Sequence, residues 1–133
     1  ATNIRFVGRQ VREDMPKYWA LCDVGLVHLK NDPVFETVIP SKIFETMASG
    51  RPIMYCGPNS DGARLIKIHD CGLLSNSDDP KALASQIRVL KREPDLCNRL
   101  ATNGKNASPK FSREVQSDAT LAVIQLASNE SKV

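Results

Sequence analysis

The sequence has few aromatic residues and no clustered charge. Aromatic side chains make up 5% of its 133 residues, and 18 basic against 15 acidic residues leave a net charge of +3 without a long run of either sign. Nucleic-acid-binding proteins usually present a basic stripe with stacking aromatics. The composition therefore argues against a nucleic-acid partner and is compatible with a site for a small anionic ligand.

The sequence also lacks paired cysteine motifs and metal-ligand spacings. Its four cysteines form no CxxC pair, and neither of its two histidines has a second ligand at metal spacing. We therefore predict no metal site and reduced thiols in the protein core, although spacing alone leaves disulfides open. The cysteines are Cys22, Cys56, Cys71 and Cys97.

Long apolar runs are missing as well. No run approaches the roughly 20 residues that a transmembrane helix needs, and the start does not resemble a signal peptide. We expect a cytoplasmic protein in which this segment makes no membrane contact. A longer form of the protein could attach peripherally to the inner face of the membrane. The sequence begins at Ala1 without methionine, almost directly at a predicted strand, which favours a piece of a longer protein.

Short apolar runs alternate with helical patterns, which is typical of a parallel α/β sheet. The strands are predicted at Ile4–Val7, Val24–Leu29, Pro52–Cys56 and Gly72–Leu74. Val24–Leu29 is almost continuously apolar, which predicts burial on both faces of the sheet. We interpret His28 as a core histidine, with a catalytic role as the alternative. The predicted fold class is α/β, with a Rossmann-like parallel sheet and flanking helices.

Helices are predicted where apolar residues recur at intervals of three and four. The first presents a core stripe made of Met15, Tyr18, Trp19 and Cys22, and the two aromatic residues fit this stripe without needing a ligand. The second begins near Ser41, stops at Gly50 and turns three residues to the core, namely Phe44, Met47 and Ala48.

The remainder of the chain is also predicted to be helical, with a short helix at Ala63–His69 and a break at Asn103–Pro109. A last amphipathic helix over Val115–Leu126 packs on this domain or crosses to another one. We assign residues 1–127 to one domain and residues 128–133 to a frayed polar tail.

The segment Pro40–Glu45 is the clearest candidate site. In open parallel sheets, ligands bind beyond the carboxyl ends of the strands, where helix N-termini present free N–H groups. Ser41 opens or caps a helix, and Lys42 in its first turn is unfavourable unless an anion neutralises it. Glu45 can accept hydrogen bonds from two ribose hydroxyls. The alternative is structural: Ser41 is a cap, Lys42 is solvated, and Glu45 pairs with Lys42.

The residues from Pro40 to Ile53 resemble the donor-binding signature of group-one glycosyltransferases, which have the GT-B fold. Further segments match this family in order and spacing: Asn3–Gly8, Cys71–Leu74, Asp79–Leu83 and Phe111–Glu114. The resemblance covers nearly the whole chain. It implies a retaining glycosyltransferase of hexosyltransferase type, of which this chain is part of the C-terminal, nucleotide-sugar-binding domain.

The resemblance also implies the donor and its site. The donor substrate would be a UDP- or GDP-sugar, with no further cofactor. Glu45 would bind the ribose, Ser41 and Lys42 the diphosphate, and backbone around Gly8 the base. Stabilisation of the diphosphate leaving group would supply most of the catalysis. The nucleotide-binding residues implied in this way are Gly8, Arg9, Val11, Pro40, Ser41, Lys42 and Glu45.

Two features depart from the family pattern. Many relatives carry a sugar-contacting glutamate eight positions before the one matching Glu45, where this sequence has Thr37. We take Thr37 and the adjacent Glu36 as the candidate catalytic residues. The first two strand–helix units of the domain are also missing. In the resembling fold, the two missing strands lie between the strands that match Ile4–Val7 and Val24–Leu29. Without them, we expect the sheet either to have a gap at this place or to pair its strands differently.

The whole N-terminal domain of the family is missing too, and with it the site for a glycan or lipid-linked acceptor. We expect the chain to be inactive alone and its longer form to act in surface polysaccharide biosynthesis. Two alternatives stay open, a sugar-nucleotide epimerase on the same scaffold and a non-catalytic nucleotide- or partner-binding module.

Overall fold

A computed structural model describes residues 2–130 and has an α/β fold. Within these residues three parallel strands form one sheet in the order β1-β2-β3, with bounds Gly25–His28 (β1), Ile53–Cys56 (β2) and Gly72–Ser75 (β3). In the register, Met54 at the centre faces Leu26 on one side and Leu73 on the other. The α/β class and the parallel sheet predicted from the sequence are confirmed.

Helices connect the strands and continue after the last one. The described residues contain α1 (Met15–Leu21), α2 (Ser41–Ala48), α3 (Asp61–Ile68), α4 (Pro80–Arg92), α5 (Pro94–Ala107) and α6 (Arg113–Glu130). Short 3₁₀ helices lie at Arg12–Asp14, Pro33–Phe35 and Ser108–Phe111. Three of the α-helix starts are capped, because the side chains of Ser60, Asp79 and Ser112 accept hydrogen bonds from the backbone N–H groups of Ala63, Ala82 and Val115.

An apolar core lies on each face of the sheet, because successive strand side chains point to opposite faces. On one face, Val27, Ile53 and Tyr55 pack with buried side chains of α2 and α3. On the other, Met54 packs with Leu90 of α4 and Leu100 of α5. The central strand β2 is therefore buried along its whole length.

The predicted strand at Ile4–Val7 is wrong. These residues form no strand, and Ile4, Phe6 and Val7 are 60%, 92% and 51% exposed. An apolar run becomes a strand only where a neighbour satisfies its backbone groups. The described sheet has β1 at its edge and no strand beyond it, so the Ile4–Val7 segment stays unpaired and the sheet shows neither the gap nor the re-pairing that we expected.

Burial of β1 on both faces is also wrong. Its residues alternate between buried and exposed; Val27 is 2% exposed, Leu26 is 49% exposed, and His28 is exposed. β1 is an edge strand, and α4 covers the neighbouring strands β2 and β3 on the Leu26 face. The exposed position of His28 removes it from the core.

The predicted break at Asn103–Pro109 falls too early. Helix α5 runs through Gly104 to Ala107 before the chain tightens into a 3₁₀ helix. A Cβ atom built on Gly104 would lie 3.2 Å from the Cβ of Cys71 and 3.5 Å from the Cα of Met47. The glycine therefore allows close packing of α5 on α2 and the start of β3, and it is not a helix terminator here.

Helix α2 has the predicted bounds. It begins at Ser41, and Gly50, with φ +62°, takes the left-handed conformation after its end. Its core-facing residues are partly different from those predicted, since Ile43, Thr46 and Met47 are buried and Ala48 is exposed.

Helix α6 does not pack with an apolar stripe on this domain. All its side chains from Arg113 to Asn129 are exposed, among them Val115, Val123 and Leu126 at 46%, 65% and 64%. The helix continues to Glu130, past the boundary predicted at residue 128 for a frayed tail. Residues 131–133 of that predicted tail lie outside the described residues.

Candidate functional site

A cavity of about 1050 Å³ lies beside α2, and we call it the α2 cavity. Its walls are residues 9–13, the first half of α1, one face of α2 and the start of α6. The α2 face consists of Ser41, Glu45, Ala48 and Ser49, whose spacing places them on one side of a helix. The α2 cavity is large enough to hold a nucleotide-sized ligand.

The opposite face of α2 fixes its position. Ile43, Thr46 and Met47 are completely buried against the sheet, and the Thr46 Oγ1 hydroxyl donates to the Lys42 carbonyl at 2.6 Å. Thr46 also fills the space above Gly25, because a Cβ there would lie 2.5 Å from the Thr46 methyl group. This packing turns Ser41 and Glu45 toward the α2 cavity.

The start of α2 has no side-chain cap. The cap position is Pro40, in extended conformation with ψ 136°, and Ser41 is the first helical residue. Among the ion pairs of the described residues, none joins Lys42 to Glu45. Both contacts of the structural alternative, a Ser41 cap and a Lys42–Glu45 pair, are therefore absent here.

The structure brings four of the seven predicted nucleotide-binding residues together. Arg9 and Val11 meet the helix-borne Ser41 and Glu45 in the walls of the α2 cavity. Gly8, Pro40 and Lys42 are not part of its walls. Gly8 precedes Arg9 with φ +71°, a conformation that favours glycine.

The two predicted catalytic residues lie elsewhere. Glu36 lines a second cavity, of about 380 Å³, which we call the polar cavity; Thr37 is exposed and lines neither of the two. The polar cavity collects residues that follow all three strands, namely Asn31, Gly57, Pro58, Asn59, Asn76 and Ser77. The backbone carbonyl of Glu36 accepts a hydrogen bond from the N–H of Asp61 at 2.9 Å, which joins this segment to the start of α3.

The turn after β2 requires a glycine at its first position, Gly57, because of the Tyr55 side chain. The Tyr55 hydroxyl donates to the Pro58 carbonyl at 3.0 Å and lies 2.7 Å from the Ser60 Oγ. A Cβ on Gly57 would come within 2.7 Å of that same hydroxyl. The turn therefore wraps around a buried phenol, and its outer side lines the polar cavity.

Sequence reasoning missed several wall residues of the α2 cavity, among them two arginines and a tryptophan. Arg12 and Arg113 line it, as does Trp19, whose buried indole Nε1 has no hydrogen-bond partner in the described structure. An unpaired buried donor is costly. The signal for Arg113 was its place in the matching segment Phe111–Glu114.

Three further observations on the described residues concern metal sites, membrane-spanning helices and disulfides. Residues 2–130 contain no group of three or more histidine, cysteine, aspartate or glutamate side chains that could hold a metal ion. No helix in this range has the length and apolar character needed to cross a membrane. The four cysteines are all free, and burial raises the pKa of the Cys71 thiol from 9.0 to about 11.

Comparison with known proteins identifies the family. Residues 1–93 match the family described as "Glycosyl transferases group 1". The chain is also similar to TuaH of Bacillus subtilis (strain 168), whose name assigns it provisionally to teichuronic acid biosynthesis as a glycosyltransferase. The two are 33% identical over 52 residues, which are 39% of this chain and 13% of the length of TuaH. With its α/β fold and a family match over most of its length, the chain belongs to the group 1 glycosyltransferases.

Proposed function

We propose that this chain binds the nucleotide of a UDP- or GDP-sugar in the α2 cavity and serves a retaining glycosyl transfer. The observation that carries the proposal is the meeting of Arg9 and Val11 with Ser41 and Glu45 in one cavity. These residues come from separate parts of the sequence. Their roles are complementary, since a nucleotide needs a carboxylate for ribose hydroxyls and donors for phosphate.

Glu45 is the ribose-binding residue in this proposal. Its side chain is exposed, lines the α2 cavity and has no ion-pair partner among the described residues. A carboxylate can accept from two neighbouring hydroxyls at once. Backbone at Arg9 and Val11, which line the same cavity, would then contact the base.

The start of α2 is the diphosphate end of the site. Pro40 leaves the first turn without a side-chain cap, and Ser41 adds a hydroxyl donor on the cavity side. The exposed Lys42 adds positive charge in the same turn. Negative charge that develops on the diphosphate as the glycosidic bond breaks is stabilised by such fixed donors, which lowers the barrier.

We assign the sugar end to Glu36, with Thr37 beside it. The polar cavity offers one carboxylate, three carboxamides and a hydroxyl in its walls, from Glu36, Asn31, Asn59, Asn76 and Ser77. Such groups suit a polyhydroxylated ligand, because each can accept from or donate to a hydroxyl. Glu36 thus takes the place of the glutamate that relatives carry at the position of Thr37.

The acceptor in this proposal is a glycan or a lipid-linked molecule, bound by parts of a longer protein. The name of TuaH supports a role in surface polysaccharide biosynthesis. The four free thiols are consistent with a reducing compartment, and we place the reaction in the cytoplasm.

Titration calorimetry with UDP and GDP tests the proposal. We compare the unmodified chain with Glu45→Ala and with Asp118→Ala, a matched removal of an exposed carboxylate outside both cavities. We expect Glu45→Ala to lower the affinity for the preferred nucleotide by about tenfold or more, and Asp118→Ala to leave this affinity unchanged. A folded chain that binds neither nucleotide, or binds equally well without Glu45, would contradict the assignment and favour a non-catalytic module.

A further inference from the structure

We propose that Arg113 is a diphosphate-binding residue of the nucleotide site. The inference rests on the proposed function and adds a residue from a part of the chain beyond the donor-binding signature. Arg113 is the first residue of α6 and lines the α2 cavity together with Ser41 and Glu45. It would contact the phosphates, because it adds a planar cation to the same cavity that the first residue of the uncapped helix α2, Ser41, lines.

Contacts made by the two preceding residues, Phe111 and Ser112, hold the backbone of Arg113 in place. The ring of Phe111 packs on Phe44 of α2 with a centroid distance of 5.1 Å, and its other neighbour is His69, edge-on at 5.5 Å. The backbone N–H of Ser112 donates to the Pro109 carbonyl at 3.2 Å, and its Oγ accepts from the Val115 N–H at 3.2 Å. The first turn of α6 is therefore held next to the helix that carries Glu45.

The guanidinium of Arg113 has no carboxylate partner in the described structure. The ion pairs present there join Lys17 to Asp14, Arg64 to Asp61 and Arg99 to Asp70. A cation in the first turn of a helix is disfavoured by the helix dipole. A bound anion would reverse this penalty, so the placement is favourable when the α2 cavity is filled by a negative ligand.

The charge of the α2 cavity favours an anion as well. Arg9, Arg12 and Arg113 face only two carboxylates in its walls, Glu13 and Glu45. None of these five side chains takes part in an ion pair within the described residues. Because a guanidinium binds phosphate through two parallel hydrogen bonds, an arginine here discriminates in favour of a nucleotide over its nucleoside.

The test compares UDP with uridine, which lacks phosphate. NMR titrations are run on the unmodified chain, on Arg113→Gln and on Arg88→Gln, a matched loss of an exposed arginine on α4 outside both cavities. We expect Arg113→Gln to weaken UDP binding about tenfold and to leave uridine binding unchanged. The substitution should also make UDP binding less dependent on salt concentration. Arg113→Lys should recover part of the loss, and Arg88→Gln should match the unmodified chain.

Failure of this inference can be told apart from failure of the proposed function. UDP binding that needs Glu45 but is indifferent to Arg113→Gln would overturn the role of Arg113 alone. Equal losses for UDP and uridine would overturn it too, because they place the residue at the nucleoside or in the fold. A chain with unchanged thermal unfolding that binds neither UDP nor GDP would overturn both proposals.

Discussion

The rings of Phe44 and Phe111 pack together with their centroids 5.1 Å apart and their planes tilted by 37°. Phe44 belongs to the helix that presents Ser41 and Glu45, and Phe111 closes the 3₁₀ helix before α6. The pair joins the C-terminal part of the chain to the candidate site. Residues around position 111 therefore help to hold the helix that carries Ser41 and Glu45.

Replacing Phe111 by alanine should destabilise the fold and weaken nucleotide binding together. We expect a loss of about 2 kcal/mol in the free energy of unfolding, less than for a fully buried phenylalanine because the ring is half-buried. Urea denaturation measures the loss, with Val123→Ala on α6, where the side chain is 65% exposed, as the control. An unchanged midpoint for Phe111→Ala would show that the ring pair contributes nothing to stability.

A larger residue at position 104 should separate α5 from α2. Valine at Gly104 places its Cβ 3.2 Å from the Cβ of Cys71 and adds two methyl groups to a full core. We expect Gly104→Val to cost about 1–3 kcal/mol in unfolding free energy. Thr102→Val, at an exposed position on the same helix, is the control and should change stability by less than about 0.5 kcal/mol.

The buried thiol of Cys71 should make stability fall in mild alkali. Its pKa is raised from 9.0 to about 11 because burial disfavours the thiolate. Between these two pH values the unfolded chain releases the proton and the folded chain retains it, so the stabilisation present below pH 9 is lost as the pH rises through 11. Unfolding midpoints at pH 8, 9 and 10.5 measure the decline.

The comparison for this prediction is Cys71→Ala. This variant should be less stable at every pH because it leaves a small cavity at a fully buried position. Its stability should decline less than that of the parent chain between pH 9 and 10.5. Parallel declines in the two proteins would mean that Cys71 does not titrate in this range.

Shortening α6 should leave the domain stable. All side chains from Arg113 to Asn129 are exposed, so they add little burial to the core. We expect a chain that ends at Ser117 to unfold within about 0.5 kcal/mol of the full chain. A clear fall in the melting temperature, followed by circular dichroism, would show that α6 docks on the domain in solution.

Elements set by local chemistry could be predicted from the sequence. The bounds of α2 follow from proline before its first turn and glycine after its last, and the structure begins the helix at Ser41 and turns the chain at Gly50. The strands β2 and β3 follow from short apolar runs between turn residues. The same local pattern predicted that Ser41 and Glu45 lie on one helix, as they do in the structure.

Elements that depend on distant neighbours could not be predicted in this way. Ile4–Val7 has the composition of a strand but no neighbour to pair with, and composition does not report partners. Gly104 resembles a helix terminator until Cys71 and Met47 are placed against it. Arg113 lines the α2 cavity, and the nearby contact between Phe111 and Phe44 joins residues far apart in the sequence.

The hydrogen bonds of Tyr55 have a consequence for ligand affinity. Its hydroxyl holds both the Pro58 carbonyl and the Ser60 Oγ, and Tyr55 and Ser60 are each 1% exposed. The turn that lines the polar cavity is thus ordered during folding, before any ligand arrives. Any ligand of the polar cavity would therefore meet preorganised backbone and would lose little affinity to the entropy of ordering it.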